Sequence, residues 1–284
     1  MLEWRIGDVS ITAVVELEPV MPATSLFAMA TEDQVAAEAS WLIPHWMDGD
    51  HNMFLSIHAF LVESQGQRLV IDTCVGNDRL IPRYDFMSNL TGPFLADLER
   101  VGFAPESVDT VVCTHLHFDH VGWNTMLVDG RWRPTFPNAR YLFSRQDWAD
   151  IQQPTYPEDE MLLADCLLPV FDAGQVDLVD ADHRVTDEIW FEPTPGHTPG
   201  HVTVQIESRG ERAVITGDVA HHPAQLAHPV WHGVYDADVE SAIRTRRDFF
   251  DRHADQDVLV LGTHFRAPTA GHIIRHGDAW RFRT

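Results

Sequence analysis

The segment His115-Leu116-His117-Phe118-Asp119-His120 constrains this chain more than any other, placing three imidazoles and a carboxylate within six positions. It follows Val108-Asp109-Thr110-Val111-Val112-Cys113-Thr114, which is β-branched and apolar enough to be a buried strand. The polar cluster therefore stands at a strand's carboxyl end. In extended backbone, residues two apart face the same way, so His115 and His117 can share one metal ion. Asp119 and His120 point elsewhere and can serve a second. Six residues cannot complete two coordination spheres, so further ligands are required downstream.

Three later segments supply them. Pro195-Gly196-His197-Thr198-Pro199-Gly200-His201 is a loop with glycine and proline on both sides of His197. The apolar strand Ala213-Val214-Ile215-Thr216 ends in Gly217-Asp218, and Val258-Leu259-Val260-Leu261 ends in Gly262-Thr263-His264. Glycine at these places allows close backbone approach. Taken singly, each segment has an ordinary structural explanation, since Gly-Asp turns and loop histidines are common. Combined with the first cluster, they make His115, His117, Asp119, His120, His197, Asp218 and His264 the candidate metal ligands.

The rest of the chain reads as α/β. Antiparallel strands are expected over residues 4 to 17 and as a pair at 57–63 and 68–73, with helices at 93–101, 146–152, within 159–168, and at 238–254. Further strands fall at 140–144, 188–191, 201–207, 213–216, 258–261, 272–275 and 280–283. Each half runs strands, helix, strand, which suits two stacked sheets with helices outside. The 284 residues carry no linker or low-complexity run, so one domain over 1–284 is expected, with residues 19–56 as a lid or a packed excursion.

Composition narrows the function. The formal charge is −23, and all twenty basic residues are arginine. Without lysine there is neither a Schiff base nor a P-loop. So acidic a chain is a poor partner for nucleic acid or an anionic membrane. Cys74, Cys113 and Cys166 follow no disulfide or metal spacing and read as buried thiols. The first residues resemble no signal peptide and no apolar run reaches membrane length, so a cytoplasmic protein is expected. Monomer and homodimer both remain open.

The residues quoted resemble the metallo-β-lactamase fold superfamily, whose HxHxDH motif is matched by His115, His117, Asp119 and His120. Its later ligands are matched by His197, Asp218 and His264. The resemblance implies an αββα sandwich of two mixed sheets flanked by helices. It also implies one ion on His115, His117 and His197, another on Asp119, His120 and His264, and Asp218 between them. Within the superfamily the chain is similar to the branch that contains lactonases and methyl parathion hydrolase, through Phe136-Pro137-Asn138-Ala139-Arg140 and the Gly262–Ile273 tail. Lactonases of that branch carry a tyrosine three residues after the bridging aspartate, where this chain has His221.

Nitrogen and oxygen ligands without thiolate suit Zn²⁺, and also Mn²⁺, Co²⁺ or Fe²⁺. Zinc can lower the pKa of a shared water from 15.7 to about 7, roughly 12 kcal/mol of hydroxide stabilisation, so a bridging hydroxide is the expected nucleophile. Asp119 is the expected proton shuttle, and His221, or less readily His222, the donor to the developing oxyanion. The expected substrate is a small carboxylic ester, above all a lactone. A phosphotriester on the same site, a mononuclear iron dioxygenase and a non-catalytic binding protein are the competing expectations. Asp72 is expected to orient a ligand histidine and His201 to be structural, while His58, His253 and His276 are expected in solvated places. Trp46, Trp123 and Trp231 read as core.

Overall fold

The computed structural model describes residues 2–284. Strand residues alternate strictly between two apolar layers. In Ile57–Ser64, Ala59 and Leu61 face one layer while Phe60 and Val62 face the other; in Gln67–Ile71, Val70 opposes Leu69 and Ile71 in the same way. A sheet apolar on both faces must be covered on both. Seven strands form this first sheet, in the order Leu2–Ile6, Val9–Leu17, Ile57–Ser64, Gln67–Ile71, Thr110–Val112, Arg140–Ser144 and Val176–Val179. Its first three pairings are antiparallel and its last three parallel.

The second sheet has six strands, Ile189–Pro193, Val202–Ser208, Glu211–Ile215, Leu259–Leu261, Ala270–His276 and Ala279–Arg283. Only the pairing of Glu211–Ile215 with Leu259–Leu261 is parallel. Phe60, Ile71 and Val112 of the first sheet meet Phe191, Val204 and Ile215 of the second in one buried layer. Outside the first sheet lies the helix Phe94–Arg100, through Phe94 and Leu98. Outside the second lies Val239–His253, through Phe249 and Phe250. This is the expected αββα sandwich.

That last helix begins at Asp238, whose carboxylate accepts the N–H of Ser241 at 3.0 Å, and ends with Arg252 in its final turn, where the helix dipole favours a cation. Residues 19–56 pack as an excursion against the second sheet's outer layer, with Phe27, Leu42, Trp46, Met47 and Met53 buried there. Among the described residues no helix is long and apolar enough to cross a membrane.

Several local expectations change. The hairpin Thr125–Val128 with Arg131–Pro134 turns on Asp129-Gly130, both at positive φ, which is the geometry a two-residue hairpin needs. The edge strand Val176–Val179 also escaped the sequence reading. The strand expected over 108–114 is shorter, Thr110–Val112, because the Thr114 N–H leaves the ladder for the Asp72 carboxylate at 2.8 Å. His58 and His253 are buried rather than solvated. His58 stands on a strand covered on both faces, pairs Nδ1 with the Ser56 hydroxyl at 2.9 Å, and is held down to about 3 by burial. Trp46, Trp123 and Trp231 belong to the core, as do all three cysteines.

Candidate metal centre

The seven candidate ligands arrive from four places along the chain and meet at one end of the sandwich. His115 and His117 follow the strand Thr110–Val112, and Asp119 and His120 lie in the single helical turn Phe118–Val121. His197 lies in the loop after Ile189–Pro193, Asp218 in the turn after Glu211–Ile215, and His264 three residues beyond Leu259–Leu261. All are beyond the carboxyl ends of strands, the usual place for ligands in α/β sheets. Gly217 makes the turn at φ +50°, and a Cβ there would lie 2.5 Å from His201 Nε2.

Two groups of ligand atoms result, His115, His117, His197 and Asp218 in one, Asp119, His120 and His264 in the other. In the first, His117 Nδ1 lies 3.0 Å from His115 Nε2 and 2.9 Å from His197 Nε2. In the second, His120 Nε2 and His264 Nε2 are 3.2 Å apart. An ion bonded tetrahedrally at about 2.0–2.1 Å sets its ligands about 3.3 Å apart, so these spacings fit a metal such as zinc. Asp218 lies between the groups, with Oδ1 3.1 Å from His264 Nε2 and Oδ2 3.2 Å from His197 Nε2. Its Oδ1 is buried without a hydrogen-bond partner, a costly state that a bound cation relieves.

Four of the five rings, His117 apart, are oriented from behind. His120 Nδ1 donates to Asp72 at 2.9 Å, His197 Nδ1 to Asp236 at 2.7 Å, and His264 Nδ1 to the Ser56 carbonyl at 3.0 Å. The Thr114 hydroxyl donates to Asp72 at 2.8 Å and so accepts from His115 Nδ1 at 3.2 Å. These contacts fix tautomers with Nε2 free to bind. Asp72 holds a left-handed φ of +56°, a conformation unfavourable for aspartate and paid back by four contacts. It orients His120, one of the candidate ligands. His201, as a neutral acceptor pulled down to about 3 by burial and the nearby His197, holds the backbone of Asp218.

The catalytic candidates Asp119, Asp218 and His221 all line one cavity of ≈ 90 Å³ together with His117, His197 and His264. Its remaining walls are Met21, Leu26, Leu55, Ile57, Met87 and Phe118, with Pro19, Tyr84 and Tyr235. The excursion over 19–56 thus supplies one side. His221 Nε2 stands 3.2 Å from Asp218 Oδ2. His222 turns away, its Nε2 on the Trp46 carbonyl at 2.8 Å, and does not reach the cavity. A larger cleft of ≈ 530 Å³ shares the His117 wall, but none of the other six ligands lines it.

Sequence reasoning missed Tyr235, Asp236 and Arg246. Asp236 is 39 residues from His197 and belongs to no short motif. Arg246 lies buried on the helix Val239–His253 and approaches Asp236 Oδ2 at 3.3 Å. An arginine at helical spacing among Ala242, Phe249 and Phe250 was the one available signal.

The chain is similar to known proteins over much of its length. A family model described as Metallo-beta-lactamase superfamily matches residues 53–264. An N-acyl homoserine lactonase of Bacillus sp is 27% identical over 173 residues, 57% of this chain and 62% of that protein. The same enzyme from Bacillus cereus matches to the same extent, so the match spans less than two thirds of these relatives. Among solved structures, the hydrolase AbOPH of the beta lactamase superfamily has a TM-score of 0.81 at 25% identity, covering 99% of this chain and 95% of that one. AidC, a dizinc quorum-quenching lactonase in complex with its product N-hexanoyl-L-homoserine, has a TM-score of 0.83 at 20% identity, covering 99% and 96%. With the matched region running from the excursion to His264, this chain belongs to the metallo-beta-lactamase superfamily.

Proposed function

We propose that this chain is a single-domain, dinuclear metal-dependent hydrolase of uncharged carboxylic esters, with lactones as its substrates. The observation that carries the proposal is the convergence of seven His and Asp side chains, five of which line a cavity whose other walls, His221 apart, are apolar or tyrosine. Away from the metal positions no lysine or arginine lines it, so the part of a substrate remote from the reacting carbonyl meets apolar and tyrosine walls, which suit a hydrocarbon substituent. The lactonase names of the relatives and of AidC agree with this choice.

Two divalent ions, zinc by preference, would supply a water ionised near neutral pH and polarise the ester carbonyl. Around them the side chains have separate tasks. His115, His117 and His197 would hold one ion, Asp119, His120 and His264 the other, with Asp218 bridging. Asp119 is partly exposed to the cavity and would carry the proton to the leaving alkoxide as the acyl C–O bond breaks. His221 lines the cavity with Nε2 3.2 Å from Asp218 Oδ2, and with substrate bound would turn that N–H from Asp218 to the oxyanion. Tyr84 and Tyr235 would pack against the substrate's apolar part.

Proton release by the zinc-reconstituted protein, with homoserine lactones, aliphatic lactones and an aryl phosphotriester compared by kcat/KM, tests this. A lactone preference of orders of magnitude supports the reading. A phosphotriester preference replaces it, and one iron per chain with no hydrolysis favours the dioxygenase.

A further inference from the structure

We infer that the two metal positions are unequal, so that the first divalent ion settles at Asp119, His120 and His264 and the second, weaker one at His115, His117 and His197. The inference rests on the dinuclear reading above. Three features of fixed charge and hydrogen bonding support it, and all have the same sign.

The first is the ligand set. One group contains the Asp119 carboxylate beside two imidazoles, whereas the other has three imidazoles apart from the shared Asp218. The second is how Asp218 is shared. Its Oδ1, facing His264 at 3.1 Å and His120 at 3.4 Å, has no hydrogen-bond partner. Its Oδ2, facing His197 at 3.2 Å and His115 at 3.7 Å, also lies 3.2 Å from His221 Nε2, which competes for its lone pairs.

The third is the buried carboxylate behind each group. Asp236 takes the His197 Nδ1 proton at 2.7 Å but shares its charge with Arg246 Nη2 at 3.3 Å. The other contacts of that guanidinium are neutral carbonyls of Val219, Pro229 and Trp231, so its charge is directed at Asp236. Asp72 takes the His120 Nδ1 proton at 2.9 Å, and its remaining donors are the neutral N–H and hydroxyl of Thr114. Its reach to His115 runs only through that hydroxyl. Negative charge behind His120 is therefore uncompensated, while behind His197 it is largely cancelled. In a buried site a dication favours the more negative position, and an ionic partner on a histidine strengthens it as a ligand.

Zinc titration of the metal-free protein, followed by NMR of the imidazole Nδ1–H protons and by competition with a chromophoric chelator, tests the order. The His120 and His264 protons should shift during the first equivalent and that of His197 during the second, with dissociation constants at least on the order of tenfold apart. Asp236→Asn should weaken the second constant by on the order of tenfold and leave the first unchanged. A His197 shift in the first equivalent, or a first constant moved by Asp236→Asn, overturns the inference. The wild-type titration decides the order even if that variant does not fold. Uptake of a single equivalent contradicts the dinuclear reading itself, and the inference with it.

Discussion

The backbone N–H of Asp218 donates to Nε2 of His201 at 2.7 Å, and Nδ1 of His201 meets the Thr194 hydroxyl at 2.8 Å. A buried neutral imidazole thus fixes the backbone of the candidate bridging residue. His201→Leu removes the acceptor while remaining apolar. Activity should fall on the order of 10- to 100-fold, the usual effect of an outer partner, with zinc affinity reduced alongside. Wild-type kcat/KM and zinc content in this variant would refute the positioning role.

His221 occupies the cavity wall with Nε2 toward Asp218 and Nδ1 buried without a partner. If Nε2 donates to the oxyanion, His221→Phe lowers kcat on the order of 10²-fold with KM little changed. Full activity in the phenylalanine variant would dismiss the donor.

Asp147 shows how burial couples stability to pH. Its carboxylate accepts the Gly200 N–H at 2.6 Å and the Thr198 hydroxyl at 2.9 Å. Burial outweighs those contacts and pushes it up to about 7, with Asp150 raising it further and His197 opposing. In the unfolded chain it titrates near 4. Between those values the folded state holds the extra proton, so this group's stabilising effect is complete below about pH 4 and is lost as the pH rises through 7. Asp147→Asn keeps the Gly200 N–H contact through Oδ1, offers its Nδ2 as a donor to the Thr198 hydroxyl oxygen in place of the bond that hydroxyl donated, and removes the titration. The Tm of the variant relative to wild type should therefore rise from pH 4.5 to pH 7.5, and a constant difference would show that Asp147 does not titrate in that window.

Arg246 is the buried cation of this half of the centre, 1% exposed. Arg246→Met leaves Asp236 buried without its counter-charge and should cost about 3–5 kcal/mol in urea unfolding of the metal-free protein. Asp236→Asn added to that background should recover part of the loss. A single-variant cost below about 1 kcal/mol would place the pair among exposed ones in effect.

What was legible in the sequence is the part written in local order. The run from His115 to His120, the Gly217-Asp218 turn and the Gly262-Thr263-His264 ending are each a strand followed within a few residues by a ligand, and strand periodicity located the layers around them. Asp72 was legible for the same reason, standing directly after Leu69-Val70-Ile71. Asp236 and Arg246 were not, because their partners are set by the packing of a helix over a loop, which spacing does not encode. The burial of His58 was missed because one histidine in a strand does not reveal that both faces of its sheet are covered. The hairpin at Asp129-Gly130 carried a recognised turn signal, but its strands are four residues each and only partly buried.

The most direct measurement is hydrolysis of an uncharged aliphatic lactone by the metal-free protein as zinc is added back in fractions of an equivalent. Activity absent without metal and reaching its plateau at two zinc per chain is the result expected of a dinuclear lactone hydrolase. A plateau at one equivalent, turnover without metal, or no lactone hydrolysis at two would contradict it.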